Sequence, residues 1–555
     1  MPIPITRNEL KRADAQWLLT LDYPGGEIRV SDKPATISSN DGEMVFVEGL
    51  KSIDLSILQD TQEISIQFVA EGVDFVQGLA RGYVFERMAG QLSRYYEGTT
   101  FERRRIVSTG VLLNVSFGAP GKENTISGVL TQSAAELGEN ICKMTVQQSV
   151  MNEAVAVPGF LDVPSECPSI GLFVPIVIGY PGTPSQSPAV PALELSMTED
   201  TVGDSQYPRW ALAAHPIQAT KCRIWTDREN NECDDSESGE FITLEELSVG
   251  QMVSARYSTI PFTNSEINTG GEFWFGLDDS NGGMLNPYRD GVLRGVSDVI
   301  RFLMSEVGRK RVDHSRFESY AHQLNAAFQI DTFINDGVTA NEWLDDHILD
   351  GTFPIRMIEG PNGIYARRRT YRPEPWESIA NLSTTGAAGT IRVARQSGLT
   401  PVDDPIYNNV TVKYAPHKAG ANFAKWVEIR PDYYDFAGGY SNVFFQITHI
   451  AEVSANIFGV RPKVFELLDV WDSATASAIA VELLLRHAMP RYQILYQGGR
   501  ELESLEIGDV VTISDSDLKL TERVATVEDV VFGKSVTQVL VEIRTDGLAF
   551  DASTS

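Results

Sequence analysis

Few residues in this chain of 555 residues have the types and spacing that chemistry requires. His314 and His322 are eight positions apart, about two helical turns, so one helix face could carry both. No third ligand lies near them, and a surface or core role is favoured over a metal site. Cys222 and Cys233 flank an acidic stretch. A zinc or iron–sulfur site would need closer pairs or other ligands, so two ordinary thiols are expected. Asp227, Glu229, Asn231, Glu232, Asp234 and Asp235 offer oxygens suited to Ca²⁺. Counted from Asp227, however, the glycine and the final glutamate of an EF-hand loop are absent. Asp227 to Glu240 is therefore expected to be an exposed, solvated loop without a tight cation site.

The sequence has no Gly-rich phosphate loop, no G-x-S-x-G and no H-E-x-x-H. Glycoside cleavage needs two carboxylates at a set separation, and nothing selects a pair among 75 Asp and Glu. No catalytic, cofactor-binding or metal-binding residue is assigned, no cofactor is expected, and the chain is not read as an enzyme.

The clearest elements lie in the middle, Val292 to Tyr371. Ser297 is placed to cap a helix running to about Gly308, with Val299, Ile300, Leu303, Met304 and Val307 on one face. A second helix is expected over Asp313–Phe328. A third starts at Thr339, where Glu342 completes a capping box. Pro354–Ile358 and Ile364–Thr370 read as a hairpin around Glu359–Gly363.

β-rich chain flanks this unit on both sides. Before it, Trp17–Leu21, Met44–Val47, Ile53/Leu55/Ile57 and Ile64/Ile66/Phe68 read as strands. Phe75–Leu92 reads as a helix. Arg104–Phe117 reads as a strand pair around Ser108-Thr109-Gly110, and Asn124–Leu130 as a further strand. Residues 151–200 are punctuated by proline and fit a traversing arm. After the middle unit, Ala380–Gly389 reads as a loop, and Asn409–Tyr414 and Val443–His449 as strands. Asp472 caps a helix to about Met489, and Leu505–Ile513 is a turn feeding a strand, with Gly508 in the turn. Val524–Val531 and Val536–Ile543 form a closing hairpin. The chain is expected to be mainly β with α+β insertions. Its expected divisions are 1–150, 151–290, 291–390 and 391–555, with a barrel at each end, a β-rich domain after the first, and a three-helix-plus-hairpin domain.

The formal net charge is −29. A sequence-independent grip on nucleic acid needs many Lys and Arg facing phosphate, and the total has the opposite sign. Arg103-Arg104-Arg105 and Arg367-Arg368-Arg369 both lie in strand-like patterns and read as side chains alternating across a sheet. No apolar run approaches the ~18–20 residues of a membrane helix, and no signal peptide is read at the start. The four cysteines are too widely spaced for a disulfide scaffold.

Three stretches together resemble a known family. Gly90–Gly98, Ile106–Val111 and Val115–Gly118 resemble the first barrel of tail-tip proteins of long-tailed bacteriophages. Ile176–Gly182 with Trp210–Ile217 resembles their second segment. Pro490-Arg491-Tyr492 with Leu505–Ile513 is similar to their last barrel. The family is the baseplate hub, or central tail-hub, of siphophage-type tails and gene transfer agents. The resemblance implies a homotrimeric ring that continues the tail tube with two tube-type barrels per subunit. It implies contacts with a distal tail protein or the tube above, with tail-fibre or tip proteins, and with a tape-measure protein. DNA would pass through the lumen without specific binding. The protein would be made in the host bacterial cytoplasm and reside at the tail tip of the virion. The chain ends at Ser555, so receptor-binding extensions are expected to be absent. The cysteine spacing does not support the iron–sulfur cluster of some relatives. Two alternatives stand beside this reading: a distal tail protein forming a sixfold ring adaptor, and a tail-associated cell-wall hydrolase.

Overall fold

The computed structural model describes residues 14–69, 88–131, 141–181, short strands between 190 and 277, and 283–544, with brief interruptions in each stretch. The fold is mainly β.

The first sheet holds nine strands: β1 (Ala15–Tyr23), β2 (Gly26–Ser31), β3 (Ala35–Ser39), β4 (Gly42–Glu48), β5 (Leu50–Leu58), β6 (Thr61–Val69), β7 (Met88–Tyr96), β8 (Arg105–Phe117) and β9 (Thr125–Thr131). Their order is β3-β4-β2-β1-β7-β8-β9-β6-β5. Side chains two apart share a face, so Trp17, Leu19 and Leu21 meet Ile64, Ile66 and Phe68 in one core. Gly49 closes the sheet into a barrel. Its N–H donates to Ser31 O on β2 at 2.9 Å, and its carbonyl accepts from Val69 N on β6 at 2.8 Å. Through it, β4 and β5 form one bent strand that joins the two ends of the sheet. A Cβ at Gly49 would lie 2.2 Å from the Val69 carbonyl oxygen.

Two expectations fail in this region. Met88–Leu92 belongs to strand β7 and not to a helix. Residues four apart share a face in both element types, so the spacing of these two apolar residues did not discriminate. The remainder of that expected helix lies outside the described residues. Ser108-Thr109-Gly110 makes no turn, because β8 runs through it as one long strand between β7 and β9.

Short strands between 145 and 277 form three small sheets. Of the expected acidic loop Asp227 to Glu240, residues 227–239 lie outside the described residues, and Glu240 opens the strand Glu240–Thr243. Ile176–Ile178 pairs antiparallel with Thr332–Ile334 and ties the arm to the middle unit. There the three expected helices are present: α1 (Val296–Phe302), continued by a π turn at Leu303–Val307, α2 (His314–Ala327) and α3 (Ala340–His347). Gly295, not Ser297, is the N-cap of α1. The Ser297 N–H donates instead to the Asn325 side chain of α2 at 2.9 Å. Asp313 caps α2, and Thr339 with Glu342 forms the capping box of α3. The hairpin β10 (Ile355–Gly360) and β11 (Gly363–Arg368) follows.

The second barrel uses β12 (Ala380–Ser383), β13 (Ile391–Arg395), β14 (Arg491–Gly498), β15 (Val510–Asp515), β16 (Leu520–Phe532) and β17 (Thr537–Arg544). They pair in the order β13-β12-β15-β16-β17-β14, and β13 pairs again with β14, so six strands close on themselves. β12 falls where a loop was expected: Leu382 is buried in the barrel and supplies the apolar anchor. Between Pro401 and Arg491 the chain leaves the barrel. It builds a four-stranded sheet backed by α4 (Phe444–Phe458) and α5 (Ser473–His487). This layer shares one apolar core with the middle helices. Val443–His449 was expected to be a strand, but α4 begins at Phe444. Ile447, Ile450, Ala451 and Ser454 are buried at helical spacing, and that period becomes visible only beyond His449.

Candidate functional site

Of the residues singled out for chemistry, His314, His322 and Cys222 fall within the described residues. His314 opens α2, and its Nδ1 accepts from Arg301 Nε at 3.0 Å; His322 is exposed on the same helix. Among the described residues no group of three His, Cys, Asp or Glu side chains is placed to hold a metal ion. Cys222 lies in the strand Lys221–Trp225, and Cys233 falls outside the described residues.

What the fold does bring together is a three-way junction on the loop 499–509 of the second barrel. Toward the first barrel, Glu503 accepts the Tyr96 hydroxyl. Arg94 Nε lies 3.9 Å from the same carboxylate, and Arg94 and Glu503 are each 1% exposed. The Arg94 guanidinium also covers the Trp17 ring at 4.7 Å. On the far side, Thr537 Oγ1 donates to Glu503 Oε1 at 3.4 Å. Arg105 donates to Leu505 O at 3.2 Å and lies over Phe532, which packs against both barrel cores. Burial, then the neighbouring Glu503 charge, pushes the Tyr96 phenol far above its ordinary range, so it remains a donor. Burial lowers the Arg94 guanidinium, and the Glu503 charge opposes that effect.

Toward the middle unit, Arg316 of α2 clamps Glu506 with two bonds of 2.5 and 2.7 Å and donates to the Tyr365 hydroxyl at 2.7 Å. Burial alone would raise the Glu506 carboxyl. The bond and charge of Arg316, with the charges of Arg105 and Arg367, outweigh burial and hold it below its ordinary value. Glu506 thus feels cations from the first barrel and the middle unit together. The turn that carries it is tight: Glu506 N donates to Asp509 Oδ2 at 2.8 Å, and Gly508 takes φ +86°. The glycine expected in this turn occupies the left-handed region that β-carbons disfavour.

The run Arg367-Arg368-Arg369 alternates as a strand should, and each side finds acids. Arg367 bonds Ile507 O and Asp509 at 2.9 and 3.1 Å. Arg369 reaches Glu528 at 3.2 Å, and Arg368 turns the other way to Glu482 on α5. Arg356 on β10 joins Glu528 at 2.8 Å. Glu528 sits where the β16–β17 register slips by one residue, a bulge that re-aims its side chain. Arg103 lies in a 3₁₀ turn instead of a strand. Arg104 bonds Phe101 O and Gln91, and Arg105 serves the junction.

Sequence reasoning missed the junction itself. Its partners lie hundreds of residues apart, and the only local signal is a charged Arg94 next to Tyr95 and Tyr96 in a strand that is mostly buried. Such a residue must find a partner when buried.

No protein-family model matches the chain, and no curated protein matches it. Among solved structures it is similar to the tail protein from Neisseria meningitidis MC58, with 10% identity over 96% of this chain and 97% of that chain and a TM-score of 0.36. It is also similar to a chain in the virion of a native gene transfer agent particle, with 13% identity over 70% of this chain and 88% of that one and a TM-score of 0.39. A third is the prophage MuSo2 43 kDa tail protein from Shewanella oneidensis, with 9% identity over 96% and 100% and a TM-score of 0.32. At such low scores and identities none of these likenesses establishes a shared fold.

Proposed function

We propose that this chain is a structural protein of a phage-type tail, the hub at its tip. Three copies form a ring that continues the tail tube as a channel for DNA. The observation that carries this reading is the buried Tyr96–Glu503–Arg94 contact, which fixes two β barrels of one chain side by side. Two rigidly paired barrels, repeated by threefold closure, offer six barrel positions beneath a sixfold tube. The resemblance of Gly90–Gly98 and Leu505–Ile513 to the barrels of tail hubs points the same way, and Tyr96 and Arg94 of the first stretch contact Glu503, two residues before the second. The role is mechanical and not catalytic. The barrels of 1–150 and 391–555 line the bore, while 151–290 and 291–390 face outward toward fibres or other tip proteins. With a formal charge of −29, a bore in which Asp and Glu outnumber Lys and Arg lets phosphate slide past.

Electron cryomicroscopy of assembled tails tests the proposal. The expected image is a threefold ring with two barrels per subunit around the channel. A sixfold or monomeric arrangement, or a bore lined mainly by Lys and Arg, overturns it.

A further inference from the structure

One carboxylate joins the middle unit to the layer built between Pro401 and Arg491. Asp469 lies on the link between the strand Pro462–Glu466 and α5, and its side chain is 6% exposed. Its Oδ1 accepts the hydroxyl of Thr332, which opens the strand Thr332–Ile334. Its Oδ2 accepts from His347 Nδ1 at 2.5 Å. Its main-chain carbonyl accepts from Asp331 N at 2.9 Å. His347 ends α3, and Trp343 one turn earlier stacks on its ring, with centroids 4.8 Å apart and planes 11° from parallel. A buried carboxylate is thus held by a hydroxyl and an imidazole, and of these two the imidazole changes charge near neutral pH.

The surroundings of that imidazole are acidic. Asp336 precedes α3, Asp346 lies in it, Asp350 follows it, and Glu466 sits on the strand that leads to Asp469. Glu466 is itself paired with Lys413 at 2.9 Å, and Asp331 is taken up by Arg294 at 2.6 Å. The last turn of a helix also favours a cation. Burial alone would lower the His347 imidazole. The bond to Asp469, with the charges of Asp469, Asp346 and Asp336, outweighs burial and holds it above its ordinary value. A cavity of about 40 Å³, lined by His347, Asp346, Asp350 and the segment 466–470, lies beside the pair. It has room for water, which gives the ring a route for proton exchange.

We propose that His347 and Asp469 form a proton-operated latch between α3 and the layer that carries Asp469. With the imidazole charged, the latch is an ion pair with Thr332 as its second donor. When the ring gives up its Nε2 proton, the Nδ1 proton still reaches Asp469, but the carboxylate keeps only neutral side-chain donors and the contact weakens. A histidine raised in the folded chain contributes fully below the unfolded value of about 6.5, and the contribution is lost as pH rises through the higher folded value. The latch therefore closes on acidification and loosens in mild alkali. It acts within one chain and does not depend on the hub assembly.

Trp343 supplies the readout, because a stacked imidazolium quenches an indole more strongly than the neutral ring does. Tryptophan emission of the full chain is titrated between about pH 5 and 9. The same titration of His347→Asn, whose amide can donate from the Nδ1 position but does not titrate, is subtracted. The difference should show one transition centred above about 6.5, with emission rising as the proton leaves. Asp469→Asn should shift that transition to lower pH, an effect that loss of packing alone would not produce. The denaturant midpoint of the native chain should fall across the same range, and His347→Asn should remove that fall. No transition in the difference, a transition that Asp469→Asn leaves in place, or an unfolding profile that His347→Asn shares with the native chain overturns the proposal. Where His347→Asn does not fold, subtracting Trp343→Phe isolates the same signal, and the shift in Asp469→Asn decides.

Discussion

The phenol of Tyr96 donates to the carboxylate of Glu503 across 407 positions of sequence, and neither group has access to water. One bond therefore couples the first barrel to the second. The same carboxylate lies beside the buried Arg94, so removing it would leave a guanidinium in a dry interface. Breaking one partner of such a pair costs roughly 3–5 kcal/mol, whereas removing a neutral donor to it costs roughly 1–3 kcal/mol. Glu503→Leu should therefore destabilise the chain more than Tyr96→Phe. Denaturant unfolding of the two variants and of the double variant measures this ordering and the coupling between the residues. Additive effects would show that the barrels are not linked through this bond.

The Arg316–Glu506 clamp should make docking of the middle unit acid-sensitive. The folded Glu506 carboxyl lies below its ordinary value of about 4.3, so the unfolded chain binds the proton first as pH falls. Its contribution is complete above the ordinary carboxylate range and is lost as pH falls through the lowered folded value. Glu506→Gln should flatten stability against pH in that acid window and lower it at neutral pH. Thermal melts of both chains between neutral and acidic pH check the sign. An unchanged slope would mean that other carboxylates govern the acid limb.

Much of this was readable from local sequence, because caps and turns are local devices. Thr339 with Glu342, and Asp472, each cap the helix that their spacing announced. The Gly508 turn was legible for the same reason. The failures have a common cause too. Met88 and Leu92 satisfy both helical and strand geometry, so only the pairing of β7 with β1 and β8 decides between them. Arg316, Arg356 and Arg367 find their acids 142 to 190 residues away, a distance over which sequence carries no directional signal.

Gly508 gives a direct test of the turn. At φ +86° any side chain is strained, and a Cβ there would also approach Arg367 Cδ to 3.0 Å. Gly508→Val should cost roughly 1–3 kcal/mol from backbone strain alone. Because Arg367 bonds the neighbouring Ile507 carbonyl, the loss should extend to docking of the hairpin, visible as faster amide exchange in β11. Full stability in the variant would argue against the left-handed turn.

Cys142 should resist modification in the folded chain. Its thiol is buried, donates to the Ile334 carbonyl at 2.8 Å, and is pushed up to about 12, chiefly by burial. Little thiolate, the nucleophilic form, exists at pH 8. Iodoacetamide labelling followed by peptide mass spectrometry should leave Cys142 unmodified until denaturant is added. Rapid native labelling at this position would show that the contact between the 141–142 segment and the strand Thr332–Ile334 opens readily.

Gly49 carries the sharpest prediction about the first barrel. Its backbone is engaged on both sides, donating to β2 and accepting from β6. The space where a side chain would begin is occupied by the Val69 carbonyl oxygen, at 2.2 Å from the ideal Cβ position, with the Val30 side chain at 3.2 Å. A flexible side chain could yield, but a carbonyl in a paired strand cannot move without breaking its own bonds. Even alanine must therefore push β6 away from the bend, and overpacking of this kind costs typically 1–3 kcal/mol and sometimes more. The strain falls at the seam, so Gly49→Ala should loosen β5 and β6 first and leave the second barrel protected. Hydrogen exchange read by mass spectrometry distinguishes the cases. Selective deprotection of 50–69 with native-like 510–544 is the expected pattern, while unchanged protection of both would show that the barrel does not close through Gly49.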